Sequence, residues 1–234
     1  MNELLNRVYN ESQEEFYKLL KKKLNSEEKT FIVTANPETF MLSSKDEELN
    51  SLLNDKNVIL VPDGIAVVKA AKKIGNKITE RIAGIDIAEK LLEFSSVMNK
   101  KVYLFGSKQE VIDGMKKVIN KKYSGIILVG TSNGYVENKD KIMKEIAKLK
   151  PDVVLIALGI PAQEKLIYKN INNFKKGIFV GVGGSFDVLS GTKKRAPKLF
   201  IKTNTEWLYR IVKEPKRLKR FWNNNIKFMF KIKK

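Results

Sequence analysis

Short apolar runs rich in β-branched residues recur along the chain ahead of Gly191: Phe31–Thr34, Asn57–Val61, Val102–Phe105, Gly125–Val129, Val153–Leu158 and Ile178–Val182. Several are apolar at nearly every position, as strands covered on both faces require. The stretches between them carry helical periodicity and are long enough for crossover helices. The pattern predicts a doubly wound α/β fold, with a Rossmann-like, mostly parallel sheet flanked by helices. Leu4, Leu5, Val8, Phe16, Leu19 and Leu20 give Met1–Asn25 an approximate apolar face and predict one leading helix that covers the sheet. In such folds the loops at the carboxyl ends of the strands build the site.

Composition then narrows the chemistry. The 234 residues include no cysteine and no histidine, which excludes a thiol nucleophile, a Ser-His-Asp triad, a disulfide scaffold and any His-liganded metal. The formal charge is +19, and it is unevenly placed. Residues 192–234 hold 15 lysines and arginines against two acids, Glu206 and Glu214. A domain 1–194 and a basic, amphipathic helical appendage 195–234 are therefore expected. Within the appendage Arg210, Arg217 and Arg220 are spaced to share one face of a continuous helix, although Pro215 predicts a break near Glu214. Trp207, Leu208, Ile211, Val212, Leu218, Phe221, Trp222, Ile226, Phe228, Met229 and Phe230 alternate with the cations, the pattern of a segment lying in an anionic membrane interface. Single-stranded nucleic acid is the competing partner for such a pattern. The leading residues do not read as a secretory signal, and no run is long and apolar enough to span a bilayer. The expectation is an intracellular protein, soluble or peripheral at a membrane.

Candidate chemistry falls on the strand ends. Thr34 and Asn36 offer a hydroxyl and an amide to a sugar or base, while Asn36 before Pro37 also suits a helix N-cap. Asp63, in Val61-Pro62-Asp63-Gly64, is placed either to act as general base on a hydroxyl or to cap the helix Gly64–Lys73. Arg81 is the single arginine between Arg7 and Arg195, which suits a bidentate contact that lysine cannot make. Asp86 suits a cap for a helix Ile87–Val97. Gln163 and Glu164 fall in the first turn of a helix, where unpaired amides favour phosphate or sugar hydroxyls. Gly183 and Asp187 belong to a glycine-dense turn that allows close backbone approach. The chain has no Asp-x-Asp pair, no Walker lysine and no glycine fingerprint after the first strand. Neither a metal nor a cofactor is expected, so if a diphosphate leaves here its growing charge falls to arginines, lysines or helix amides.

Taken in order, TANPETF, VPDGIAVV, ERIAGID, YLFGS, GTSNGY, ALGIPAQEK, GVGGSFDVLSG, KRAP and EWLYRIVKEPKRLKR resemble the WecG/TagA/CpsF glycosyltransferases, family 26, from about Thr30 to Arg220. The resemblance implies transfer of N-acetylmannosamine from UDP-ManNAc to the 4-hydroxyl of GlcNAc on a polyprenyl diphosphate. Transfer is with inversion and forms a β-1,4 bond, an early step of wall teichoic acid or related surface polysaccharide assembly. A donor of another hexose, as in capsule synthesis, is the nearest alternative. It further implies Asp63 as base, Thr34, Asn36, Arg81 and Gln163 in the substrate pocket, and Arg210, Arg217 and Arg220 closing over the departing diphosphate. The implied partners are the UDP-sugar, the lipid-linked acceptor and an anionic membrane surface. Nucleic acid is not among them, the place of action is the inner face of the cell membrane, and the sequence leaves self-association into a homo-oligomer open.

Overall fold

The computed structural model describes residues 1–232, apart from the side chains of Arg217 and Arg220. Six strands, β1 (Lys29–Ala35), β2 (Val58–Pro62), β3 (Lys101–Gly106), β4 (Ile127–Ser132), β5 (Val153–Ala157) and β6 (Gly177–Gly181), form one sheet in the order β2-β1-β6-β5-β3-β4. Every pairing is parallel. The expected α/β architecture is what the chain adopts.

Alternation along the strands divides the core between the two faces of the sheet. Phe31, Val33, Phe105, Ile156 and Phe179 point to one face, where they meet the helices Pro37–Ser43, Glu47–Asn54, Ile65–Lys73 and Ala162–Asn170. Ile32, Val102, Leu104, Leu155 and Val180 point to the other, against Gln13–Leu24, Gly84–Val97 and Gln109–Lys122. Both faces of the central strands are covered, which explains why β2, β5 and β6 are apolar at every position.

Three local expectations are revised. The leading segment is two helices, Asn2–Asn6 and Gln13–Leu24, because Val8 leaves helical geometry to bridge Leu60 at the sheet edge, and Ser12 caps the second helix. β4 starts two residues later than its apolar run. Gly125 is held in a turn where a side chain would strike the Ser96 carbonyl, 2.1 Å from an added Cβ. The helix ahead of Met98 begins at Gly84, so Asp86 lies inside its first turn instead of capping it.

The appendage folds back onto the body. Short helices Lys198–Lys202, Glu206–Lys213 and Arg217–Phe221 follow one another, with the expected break at Glu214 and Pro215, and a wide π-type turn leads into Lys227–Lys231. Phe228 is fully buried, its ring centroid 5.5 Å from that of Phe40, and Ile232 is buried in the same cluster. Lys73 Nζ donates to the Ile232 carbonyl at 2.9 Å. Trp207, Leu208, Val212, Leu218, Trp222 and Phe230 remain exposed.

Candidate active site

The carboxyl ends of β1, β2 and β6 bring Thr34, Asp63 and Gly181 together. Thr34 Oγ1 donates to the Gly181 carbonyl at 3.2 Å, tying β1 to β6. Asp63 N donates to the Ala35 carbonyl at 2.9 Å, continuing the β1–β2 ladder by one residue, and Gly64 then turns the chain with φ of 126°. Asp63 does not cap the helix Ile65–Lys73, whose start has no side-chain cap. Its Oδ2 instead accepts from Gly84 N at 3.4 Å. The packing there is close: a Cβ on Gly84 would lie 3.2 Å from Thr34 Cγ2 and in ordinary contact, 3.5 Å, with Asp63 Oδ2. Ile82 N donates to the Pro62 carbonyl at 2.9 Å, which brings the loop carrying Arg81 alongside.

Burial raises the Asp63 carboxyl above its ordinary range. The fields of Arg81 and Arg210 and the Gly84 N–H act against that rise, and Glu206 adds to it. The balance leaves a carboxylate more basic than one in water, with two guanidinium groups nearby, an arrangement suited to taking a proton from a hydroxyl while negative charge grows on a neighbouring group.

Glu206, in the first turn of the helix Glu206–Lys213, is 5% exposed and joins the appendage to this constellation. Arg81 Nη2 meets its Oε2 at 2.6 Å, and Arg195 Nε and Arg210 Nη2 each lie 3.9 Å from its Oε1. Arg195 also pairs with Asp86 at 2.5 Å. Burial works against the charge of Arg81, but the Glu206 hydrogen bond and the fields of Asp63, Glu206 and Asp86 outweigh it and raise its pKa.

A second polar cluster braces the loops after β5 and β6. Gln163 is buried; its Oε1 accepts from Gly159 N and Gly183 N, both at 3.1 Å, and its Nε2 donates to Glu164 Oε1 at 2.8 Å. Gly181 has no room for a side chain, since a Cβ would come 2.5 Å from Gln163 Nε2. Glu164 is 1% exposed with Oε2 unpartnered. Burial pushes its pKa up to about 7, the Gln163 hydrogen bond opposes this, and Glu38 adds to it. Asp187, in the short helix Ser185–Leu189, faces Lys193 Nζ at 3.5 Å. Among the described residues no three carboxylates converge as metal ligands would.

A family model described as the glycosyl transferase WecG/TagA/CpsF family matches residues 2–234. The chain belongs to this family. Three relatives in it carry the name N-acetylglucosaminyldiphosphoundecaprenol N-acetyl-beta-D-mannosaminyltransferase. The protein of Bacillus subtilis strain 168 is 42% identical over 189 residues, covering 81% of this chain and 73% of the relative. That of Bacillus spizizenii is 39% identical, covering 84% and 76%, and that of Staphylococcus aureus strain MW2 is 37% identical, covering 87% and 80%.

Against the positions expected of a WecG/TagA/CpsF glycosyltransferase, the structure gathers Thr34, Asp63, Arg81 and Arg210 at one place. Asn36 lies beside them, but its Oδ1 is engaged as a helix N-cap by Glu38 N and Thr39 N at 2.9 and 3.1 Å. Gln163 faces inward and shapes the backbone at Gly159 and Gly183. The side chains of Arg217 and Arg220 lie outside the described residues. Sequence reasoning missed Glu206 and Arg195. The one available signal was an acid retained in a stretch of 15 cations, four residues ahead of Arg210.

Proposed function

We propose that this glycosyltransferase moves N-acetylmannosamine from UDP-ManNAc to the 4-hydroxyl of GlcNAc on a polyprenyl-diphosphate lipid, forming a β-1,4 bond in the assembly of a cell-surface polymer. The names of the relatives give the acceptor lipid and the sugar transferred, and the UDP carrier and the 4-hydroxyl follow from the family resemblance. The chemistry rests on one observation: the burial-raised Asp63 carboxylate lies at the strand ends, within the fields of Arg81 from the body and Arg210 from the appendage.

In a single displacement the acceptor oxygen attacks the anomeric carbon as the bond to the diphosphate breaks, which inverts that carbon. Asp63 receives the hydroxyl proton, and the leaving UDP carries away the bonding electron pair. Arg81 and Arg210, joined by Arg217 and Arg220 of the appendage, offset the charge developing on the diphosphate. Gln163 holds the Gly183 turn in the shape that lets the donor approach its backbone, with Asp187, Thr34 and Asn36 on the same rim.

An acceptor confined to a membrane gives residues 195–234 their purpose. Exposed Trp207, Leu208, Val212, Leu218, Trp222 and Phe230 sit among lysines and arginines, a surface suited to peripheral docking on anionic lipid at the inner face of the cell membrane. Among the described residues no helix is long and apolar enough to cross a membrane. The test is turnover of UDP-ManNAc, UDP-GlcNAc and UDP-glucose on a GlcNAc-diphosphate lipid in anionic vesicles. ManNAc transfer is expected to dominate; transfer from another donor would correct the substrate, and transfer from none would overturn the reading.

A further inference from the structure

Three guanidinium groups from three separate segments converge on the carboxylate of Glu206. Arg81 comes from the loop after Ile78, Arg195 from the stretch ahead of Pro197, and Arg210 from one turn further along the Glu206 helix. A carboxylate withdrawn from water persists where cations hold it, and an apolar residue of similar volume would serve packing alone at least as well. Glu206 Oε1 and Arg195 Nε, both buried, accept and donate no hydrogen bond and face each other at 3.9 Å, so the cluster is only partly locked. Two of the three arginines, Arg81 and Arg210, also act on Asp63, as does Glu206 itself.

We infer that Glu206 is a positioning residue that couples docking of the appendage to assembly of the transfer site, by holding Arg81 beside Asp63 and drawing Arg195 and the half-exposed Arg210 toward the same carboxylate. With the appendage docked, an incoming diphosphate meets guanidinium groups already gathered. With it undocked, Arg81 loses its counter-ion and Asp63 loses the field of Arg210. The inference rests on the glycosyl-transfer reading of the site and adds a residue to it.

The test compares full-length wild type, Glu206→Gln and Glu206→Asp in anionic vesicles, reading kcat/KM against pH and tryptic cleavage between Lys213 and Lys219, with melting curves to confirm folding. Glu206→Gln should lower kcat/KM about 100-fold, the scale of a misplaced catalytic group. The groups facing Asp63 are Arg81, Arg210, Glu206 and the Gly84 N–H. Glu206 itself raises the Asp63 pKa less than Arg81 and Arg210 lower it, so a variant that lets both guanidinium groups go raises that pKa, and the acid limb of the profile moves to higher pH. Glu206→Asp should restore the position of the limb and part of the rate, and cleavage should be faster in Glu206→Gln than in wild type. A Glu206→Gln enzyme with wild-type kcat/KM and an unmoved limb overturns the inference, as does a Glu206→Asp enzyme no better than Glu206→Gln. If Glu206→Gln fails to fold, Glu206→Asp carries the test: a limb displaced from the wild-type position counts against the inference. Wild type inactive with every donor would sink the functional reading instead, and the cleavage comparison would still decide the coupling.

Discussion

Phe228 is the anchor by which the far end of the appendage reaches the core, and Phe228→Ala should release it. The ring is fully buried against Phe40, beside Ile232. Truncating a buried phenylalanine costs about 3–5 kcal/mol in a rigid core. Here the loss is capped by the free energy of docking, because the segment can leave rather than keep a cavity. A loss of about 3 kcal/mol changes the ratio of docked to undocked appendage roughly 150-fold. If Arg210, Arg217 and Arg220 act only when docked, kcat/KM should fall with the docked fraction, by at most that factor, while the main melting transition of the body moves little. Steady-state kinetics on vesicles, run beside tryptic cleavage after Lys227 and Lys231, reads both effects. Phe230→Ala is the control: Phe230 is 84% exposed, so its loss should leave cleavage unchanged and weaken vesicle binding. Wild-type kcat/KM and an unchanged cleavage pattern in Phe228→Ala would refute the anchoring argument.

Further predictions concern the bracing cluster and the packing around Asp63. Glu164 has its pKa raised from 4.5 to about 7, so the folded protein binds a proton that the unfolded chain releases. That stability is present below the unfolded value and is lost as pH rises through about 7. Glu164→Gln should remove this slope and gain on the order of 3 kcal/mol above neutrality, read as a Tm difference between pH 5 and pH 8; parallel Tm curves for the two proteins would contradict it. Gly84→Ala should displace the Thr34 methyl by a few tenths of an ångström and lower kcat by no more than about tenfold with KM little changed, so a fall confined to KM would count against the contact.

The fold was legible because six apolar runs, separated by crossover-length segments, admit few arrangements other than a parallel sheet covered on both faces. Local competition was harder to read. Nothing in the apolar pattern of Met1–Asn25 announces that Val8 leaves the helix to bridge Leu60. Only the three-dimensional path shows that Gly125 is pressed against Ser96 and delays β4. Strand-end placement singled out Thr34, Asp63 and Gln163, since position along a parallel strand is encoded in sequence, while Arg81, in a loop between two helices, stood out as an isolated arginine among lysines. What each does depends on neighbours far away in the chain. Asn36 caps its own helix, Asp63 turns to Gly84 instead of capping, and Gln163 reaches Gly159 and Gly183. The appendage shows the same limit from the other side. Phe228 and Phe230 look alike in an amphipathic pattern, yet one is in the core and the other in solvent. Glu206 reads as a stray acid until Arg81, 125 positions away, is placed against it.

Asp63 takes the acceptor proton in a transfer that needs only cations of the protein to offset the departing diphosphate. The most direct test is turnover of UDP-ManNAc on a GlcNAc-diphosphate lipid in anionic vesicles with EDTA present, for wild type and Asp63→Asn. Wild type should show chelator-resistant ManNAc transfer, and Asp63→Asn should lose at least about 100-fold, the scale of a removed general base. Transfer abolished by EDTA, or an Asp63→Asn enzyme as fast as wild type, would contradict it.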